Sequence, residues 1–181
     1  MPHWTIRPAT DRDREAIVAL WHQGWHDAHR HLVPAEILAY RQPEHFSLWL
    51  DECIDATVVG CDTGAILGFY SLSGAEIGRF YVARAARGTG LAAALLDHAE
   101  QTLADGGTEM GELCCTDGND RARAFYERQG WTLAERIMDN LWLPGGRPSD
   151  RQVPTRRYVK RLRDSGARPM PDRSGPQNAK T

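Results

Sequence analysis
Short apolar runs that alternate with polar residues recur along this chain, separated by stretches whose apolar residues return every three or four positions. Trp4 to Arg7 reads as a short strand. Thr10 followed by Asp11 and Asp13 has the chemistry of a helix N-cap with acids in the first turn. Ile17, Leu20, Trp21 and Trp25 then fall on one helical stripe. After Pro34 a short helix is predicted over Ala35 to Tyr40, and another over Phe46 to Glu52. Ala56 to Cys61 and Ile66 to Leu72 read as hairpin strands around the turn Asp62-Thr63-Gly64. Glu76 to Ala83 is the next strand, and Leu91 to Leu103 a helix that Gly106-Gly107 ends. Glu109 to Thr116 predicts a strand and Asn119 to Gln129 a helix, with Gly130 as its stop. Trp131 to Leu143 and Val153 to Leu162 are the last two strands, connected by Gly145 to Gln152. The order β-α-α-β-β-β-α-β-α-β-β is an α+β layout with a single mixed sheet flanked by helices.

Composition narrows the picture. At 181 residues, with 41% hydrophobic and 25% charged positions, one globular domain is expected. No apolar run approaches the ~20 residues of a membrane span, and Met1-Pro2-His3-Trp4 has no signal pattern. The four cysteines, Cys53, Cys61, Cys114 and Cys115, lack metal-ligand spacing and read as reduced packing residues. A cytoplasmic protein with no membrane partner is the expectation. Residues 1–144 carry 12 Lys+Arg against 21 Asp+Glu, a balance of -9, whereas 145–181 carry 10 against 3, a balance of +7. An acidic body disfavours nucleic acid and would attract a cationic acceptor. Residues 163–181 are rich in Arg, Pro, Ser, Gly and Asp without periodicity, and are expected to form a disordered basic tail.

The most informative stretch is Arg87-Gly88-Thr89-Gly90-Leu91-Ala92, between a predicted strand and a predicted helix. Its glycines expose backbone N–H groups, and the first helical turn adds unpaired N–H groups and the positive dipole end. Such a turn cradles phosphate. It is not a mononucleotide loop, because Leu91-Ala92 stands where Lys-Ser or Lys-Thr should follow the second glycine. It is not a dinucleotide fingerprint, because it lies mid-chain with its third small residue too early. The pattern Arg87-x-x-Gly90-x-Ala92 after Phe80-Tyr81-Val82 resembles the coenzyme A pyrophosphate loop of GNAT-superfamily N-acyltransferases. A second block, Asn119 to Trp131, looks like that family's late helix: Asn119, then Ala122, Phe125-Tyr126, Gly130 and an aromatic. The resemblance extends more loosely from about Thr5 to Leu162.

That resemblance implies an acetyltransferase domain over 1–162, a mostly antiparallel sheet, and direct transfer from acetyl-CoA to a primary amine of a small molecule or a protein. It also admits a homodimer. Coenzyme A contacts would come from Arg87, Gly88, Thr89, Gly90, Leu91 and Ala92, mostly through the backbone. A bulged strand, marked by Gly78, would turn the Phe80 N–H to the thioester carbonyl and the Val82 N–H to the pantetheine. Asn119 caps the late helix and would lie near the pantetheine. Tyr126 matches the family's general acid. Glu76 at the start of the central strand is the candidate base, with Glu112 or a water wire as alternatives. No nucleophilic cysteine is placed where the thioester would lie. Trp25, His29 and Tyr40 are candidates to line the acceptor pocket. The cluster His22, His26, His29 and His31 reads as a solvated helix face or as acceptor contact. His-x-x-x-His alone makes a poor zinc site, so no metal is expected. The alternative is a catalytically silent acyl-CoA-binding module that senses or regulates.

Overall fold
The computed structural model describes residues 4–144 and 148–162. The predicted tail, 163–181, lies outside the described residues, as does part of the last connection, 145–147. The strands are β1 (Thr5–Pro8), β2 (Thr57–Asp62), β3 (Ala65–Ser73), β4 (Glu76–Val82), β5 (Met110–Thr116), β6 (Thr132–Trp142) and β7 (Pro148–Arg161). They form one seven-stranded sheet in the order β1-β2-β3-β4-β5-β7-β6. Every neighbouring pair is antiparallel except β4 with β5. The helices are α1 (Arg14–His29), α2 (Pro43–Cys53), α3 (Leu91–Asp105) and α4 (Asp120–Arg128). The α+β layout with one mixed sheet is therefore the observed one.

Two cores hold the layers together. Ile17 and Trp21 of α1, with Phe46, Trp49 and Leu50 of α2, pack on Val59, Cys61 and Phe69 of the sheet. On the other face Leu91, Leu95, Leu96, Ala99 and Leu103 of α3 join Tyr70, Ile77, Leu113, Tyr126 and Trp131. The start of α1 is tied to β1 by the buried Asp13. Its carboxylate accepts from both terminal nitrogens of Arg7, at 2.7 and 2.8 Å, and from the N–H and hydroxyl of Thr10, at 2.8 and 2.9 Å. The hydrogen bonds from Arg7 hold that carboxyl well below the ordinary carboxylate range. The motif residue Trp131 is structural: its indole N–H donates to Glu100 at 2.9 Å, and the Lys160 ammonium binds the same carboxylate.

The expected short helix Ala35–Tyr40 forms, in 3-10 geometry. Two boundaries differ from the sequence expectation. The second helix starts at Pro43 instead of Phe46, with proline in its first turn. The last strand starts at Pro148 instead of Val153, because β6 extends its ladder to the pair Trp142↔Pro148. This outer part of the hairpin is largely solvated, so no apolar alternation marks it in the sequence.

The feature that positions the site is the β4–β5 junction. These parallel strands pair only at Glu76↔Glu112, next to a bond from the Glu112 N–H to the Ala75 carbonyl at 3.0 Å. Beyond that point β4 and β5 no longer pair, and a gap opens inside the sheet.

Candidate active site
The gap is the floor of a cavity of about 660 Å³. Ile77 to Val82 of β4 and Cys114, Cys115 and Thr116 of β5 line its two edges. α4 contributes Ala122, Phe125 and Tyr126, and α1 contributes Trp21, Gly24, Trp25, Ala28 and His29. Arg87, Gly88 and Ala92 of the glycine loop and Asn119 also reach it. Gly24 lets α1 approach closely, since a Cβ there would lie 2.8 Å from the ring of Tyr81.

The bulge falls at the expected residue. Ser71 pairs with Arg79 and Leu72 with Ile77, so Gly78 is the extra residue on β4. Glycine is not required there by conformation: its φ is not in the left-handed region, and an added Cβ would meet nothing nearer than the Ser71 carbonyl at 4.0 Å. Past the bulge the ladder phase is set by the bond from the Ala83 N–H to the Leu67 carbonyl, at 2.7 Å. Hydrogen-bonded and non-bonded pairs alternate along an antiparallel ladder. Counting back through Val82↔Gly68 and Phe80↔Tyr70 turns the N–H groups of Phe80 and Val82 away from β3 and toward the gap. The Tyr81 N–H belongs to the β3 ladder, so Tyr81 offers the cavity its side chain.

The glycine loop has the geometry of an anion cradle. Gly88 and Gly90 have φ of +78° and +96°, and a Cβ at either would project into open space. The first α3 bond at this end runs from the Ala94 N–H to the Gly90 carbonyl, so Leu91, Ala92 and Ala93 have no helical acceptor for theirs. Leu91 is fully buried and contributes only backbone. The Thr89 hydroxyl donates to the Ala86 carbonyl at 2.6 Å, which fastens the turn instead of facing a ligand. Arg87 pairs with Asp27 at 3.3 Å. Arg121 stands close by, its pKa lowered by burial and by the charges of Arg87 and Arg84. The loop and the first helical turn thus fit a pyrophosphate group.

Tyr126 is 7% exposed and sits against Phe125 and Phe80, with ring centroids 5.4 and 6.3 Å away. Burial pushes its hydroxyl pKa far above the usual tyrosine value, with Cys115 and Tyr81 adding to the shift. Glu76 has a raised pKa, chiefly from burial and then from Asp139 and Glu112, against the pull of Arg79. Glu112, the alternative base, is bound by Arg157 at 3.0 Å and does not line the cavity. Cys114 and Cys115 both line the cavity. Cys115 is buried while the Cys114 residue keeps solvent exposure, and desolvation of the sulfur is the main cause that raises each thiol to about 11, so both stay protonated at neutral pH.

On the opposite wall, Trp25 and His29 line the cavity, with ring centroids 5.4 Å apart. His29 hydrogen-bonds through Nδ1 to the Trp25 carbonyl at 3.1 Å, and burial lowers its pKa to about 4. It is neutral near pH 7, with Nδ1–H as donor and Nε2 as acceptor. Tyr40 is not brought into the site: it is 41% exposed, beside His45, and absent from the lining. Its neighbour Arg41 lines the cavity in its place and uses the Tyr40 carbonyl as an acceptor at 3.0 Å. The His cluster is neither fully solvated nor arranged as ligands. His26 binds the Arg41 carbonyl at 2.8 Å, and among the described residues no group of three or more His, Cys, Asp or Glu is placed to hold a metal ion. The lining also departs from the acidic character of the body, with two carboxylates, Glu76 and Asp139, against five arginines, Arg41, Arg79, Arg87, Arg121 and Arg128.

A family model for the acetyltransferase (GNAT) family matches residues 11–131, two thirds of the chain. The chain belongs to the GNAT acetyltransferase family. Solved structures share this GNAT fold. A GCN5-related N-acetyltransferase from Rhodopseudomonas palustris superposes with a TM-score of 0.68 at 19% identity, covering 87% of this chain and 95% of that one. The PaiA N-acetyltransferase of Thermoplasma acidophilum, solved with coenzyme A, gives 0.64 at 15% identity, covering 86% and 99%. YncA of Salmonella typhimurium, a putative acetyltransferase solved with acetyl-CoA, gives 0.64 at 16% identity, covering 91% and 97%. No curated protein matches the sequence.

Several lining residues of this GNAT chain were not legible from its motifs. Arg121 had a signal: it is a cation in the first turn of α4, where the helix dipole disfavours it. Arg41, Trp49, Asp139 and Trp142 had none, because they come from separate elements that meet only in the folded chain.

Proposed function
We propose that this chain is an N-acetyltransferase that passes the acetyl group of acetyl-CoA directly to a primary amine in a ternary complex. The observation that carries this reading is the unpaired gap between β4 and β5. It runs along β4 from Glu76 to Val82, six residue steps or roughly 20 Å at about 3.3 Å each, with the glycine cradle beyond that end, and Tyr126 faces it from α4.

The thioester of acetyl-CoA supplies an activated acyl carbon. The backbone N–H groups of Gly90, Leu91 and Ala92 bind the pyrophosphate, and Arg87 and Arg121 offset its charge. The Val82 N–H and Asn119 hold the pantetheine arm. The Phe80 N–H polarises the carbonyl oxygen, where a fixed donor counts most. Glu76 takes the proton from the attacking amine; its raised pKa strengthens it as a base relative to an ordinary glutamate. Tyr126 gives its proton to the departing thiolate sulfur. The transfer is direct, with no acyl group carried on Cys114 or Cys115. Trp25 and His29 contact the acceptor.

The test is thiol release from acetyl-CoA against a panel of amines, with calorimetric titration of coenzyme A alongside. We expect micromolar-range binding and thiol release with at least one amine. Binding without release for every amine would leave a silent module, and absence of binding would end the proposal.

A further inference from the structure
Arg41 is 2% exposed, yet no carboxylate among the described residues pairs with it. Its guanidinium lies between the rings of Trp25 and Trp49, 5.0 and 4.9 Å from their centroids. Nη1 donates to the Tyr40 carbonyl, and the buried Nε has no partner. Burial holds its pKa down to about 10, and only the Tyr81 phenol opposes that shift. A buried charge without a counter-ion is costly, and a fold with no use for it would do better with an apolar side chain. Arg41 also lines the same cavity as Glu76 and Tyr126.

Resting on the acetyltransferase reading, we infer that the acceptor is a primary amine carrying its own carboxylate, an amino acid with an apolar or aromatic side chain, and that Arg41 binds that carboxylate. Both indoles pack against the guanidinium, so its N–H groups are what it can offer a ligand. With Nη1 engaged by Tyr40 and Nε closed off by burial, Nη2 is the donor left to meet a carboxylate oxygen in a charge-assisted hydrogen bond. Trp25, Trp49, Leu141 and Trp142 give the same cavity an apolar wall for a side chain. The carboxylate neutralises Arg41 while Glu76 faces the amine, so a zwitterion matches the cavity better than a simple cation does. Arg41 is a specificity residue in this scheme and takes no part in proton transfer.

The experiment compares L-leucine, L-methionine, L-phenylalanine and L-tryptophan with the amines made by removing their carboxyl groups. Thiol release from acetyl-CoA is measured for wild type, Arg41→Met and Arg41→Lys. For the best pair we expect kcat/KM to favour the amino acid by about 10²-fold, mainly through KM. Arg41→Met should collapse that ratio to within about threefold, and Arg41→Lys, which keeps the charge but not the position of the donor, should reduce it about tenfold. Coenzyme A affinity should hold, and the Tm of Arg41→Met should stay level or rise, because an unpaired buried charge is gone. Equal or better use of the decarboxylated amines, a ratio that survives Arg41→Met, or a lowered Tm with the ratio intact would overturn the inference. If no amine releases thiol, saturation-transfer NMR of the same amino acids with coenzyme A present separates the two claims. A signal lost in Arg41→Met would keep the carboxylate site while the acetyltransferase reading fails, and no signal in wild type would sink the site as well.

Discussion

On the side of β4 and α3 the groups suited to hold a cofactor are backbone N–H groups, and on the side of α1, the 35–41 turn and β6 the lining groups are side chains. In the first wall the working groups are N–H bonds of Phe80, Val82 and residues 90–92, while Leu91 is buried and the Thr89 hydroxyl is tied to its own turn. In the second, the groups are the indoles of Trp25, Trp49 and Trp142, the His29 imidazole, the Arg41 guanidinium and the Asp139 carboxylate. A backbone wall binds whatever presents phosphate and amide at the right spacing. It tolerates many sequences so long as glycine stands where φ is positive and where the ligand approaches closely. A side-chain wall is specific to its residues, and one substitution changes what it accepts. The difference separates the part of the site a family holds in common from the part that sets the acceptor.

The most severe break of the backbone wall is Gly90→Glu. It fills the open space above the cradle, strains a φ of +96°, and sets a carboxylate against the pyrophosphate. We expect coenzyme A affinity to fall by about 10³-fold or more by calorimetry, with the far-UV spectrum kept. Undiminished affinity would show that the cradle is only a turn. Tyr126→Phe tests the junction of the walls: the ring and its packing stay and the proton goes. Turnover should fall by about 10²-fold, as for loss of a general acid, with little change in coenzyme A affinity; wild-type turnover would make Tyr126 a core residue.

Glu76→Gln is the mildest of the three and tests the β4 carboxylate that faces the side-chain wall across the cavity. The raised pKa of Glu76 means its basic, ionised form accumulates only above the ordinary glutamate range. The rate should therefore climb as pH rises through that pKa. In Glu76→Gln the limb should move to higher pH and turnover drop about tenfold, in the low range for loss of a base that water can partly replace. An ionised carboxylate is disfavoured in the folded state, so its removal should not lower the Tm at pH 7. A raised acceptor KM with turnover kept would assign Glu76 to attracting the amine instead.

The sequence by itself determined the order of elements, the cradle and the late helix. Each is local: a Gly-x-Gly between an apolar strand and a helix, an N-cap at Asn119, alternation along β4. Gly78 also sat where the bulge forms, although its backbone there is not in the left-handed region that favours glycine. Only the tertiary structure decided the acceptor wall. Trp25, Arg41, Trp49, Asp139 and Trp142 span more than 100 residues of chain, and nothing in their local spacing says that they meet. Tyr40 and Arg41 make the point at closest range. The two are adjacent, and the aromatic looked the better lining residue, but the turn exposes Tyr40 and buries Arg41 between two indoles. The same holds for charge. The excess of acids over residues 1–144 is a property of the whole body, whereas the cavity collects arginines. Local pattern fixes which backbone groups are free, because N–H accounting is settled within a few residues. Which side chains converge, and whether a buried charge finds a partner, depends on long-range packing that periodicity does not encode.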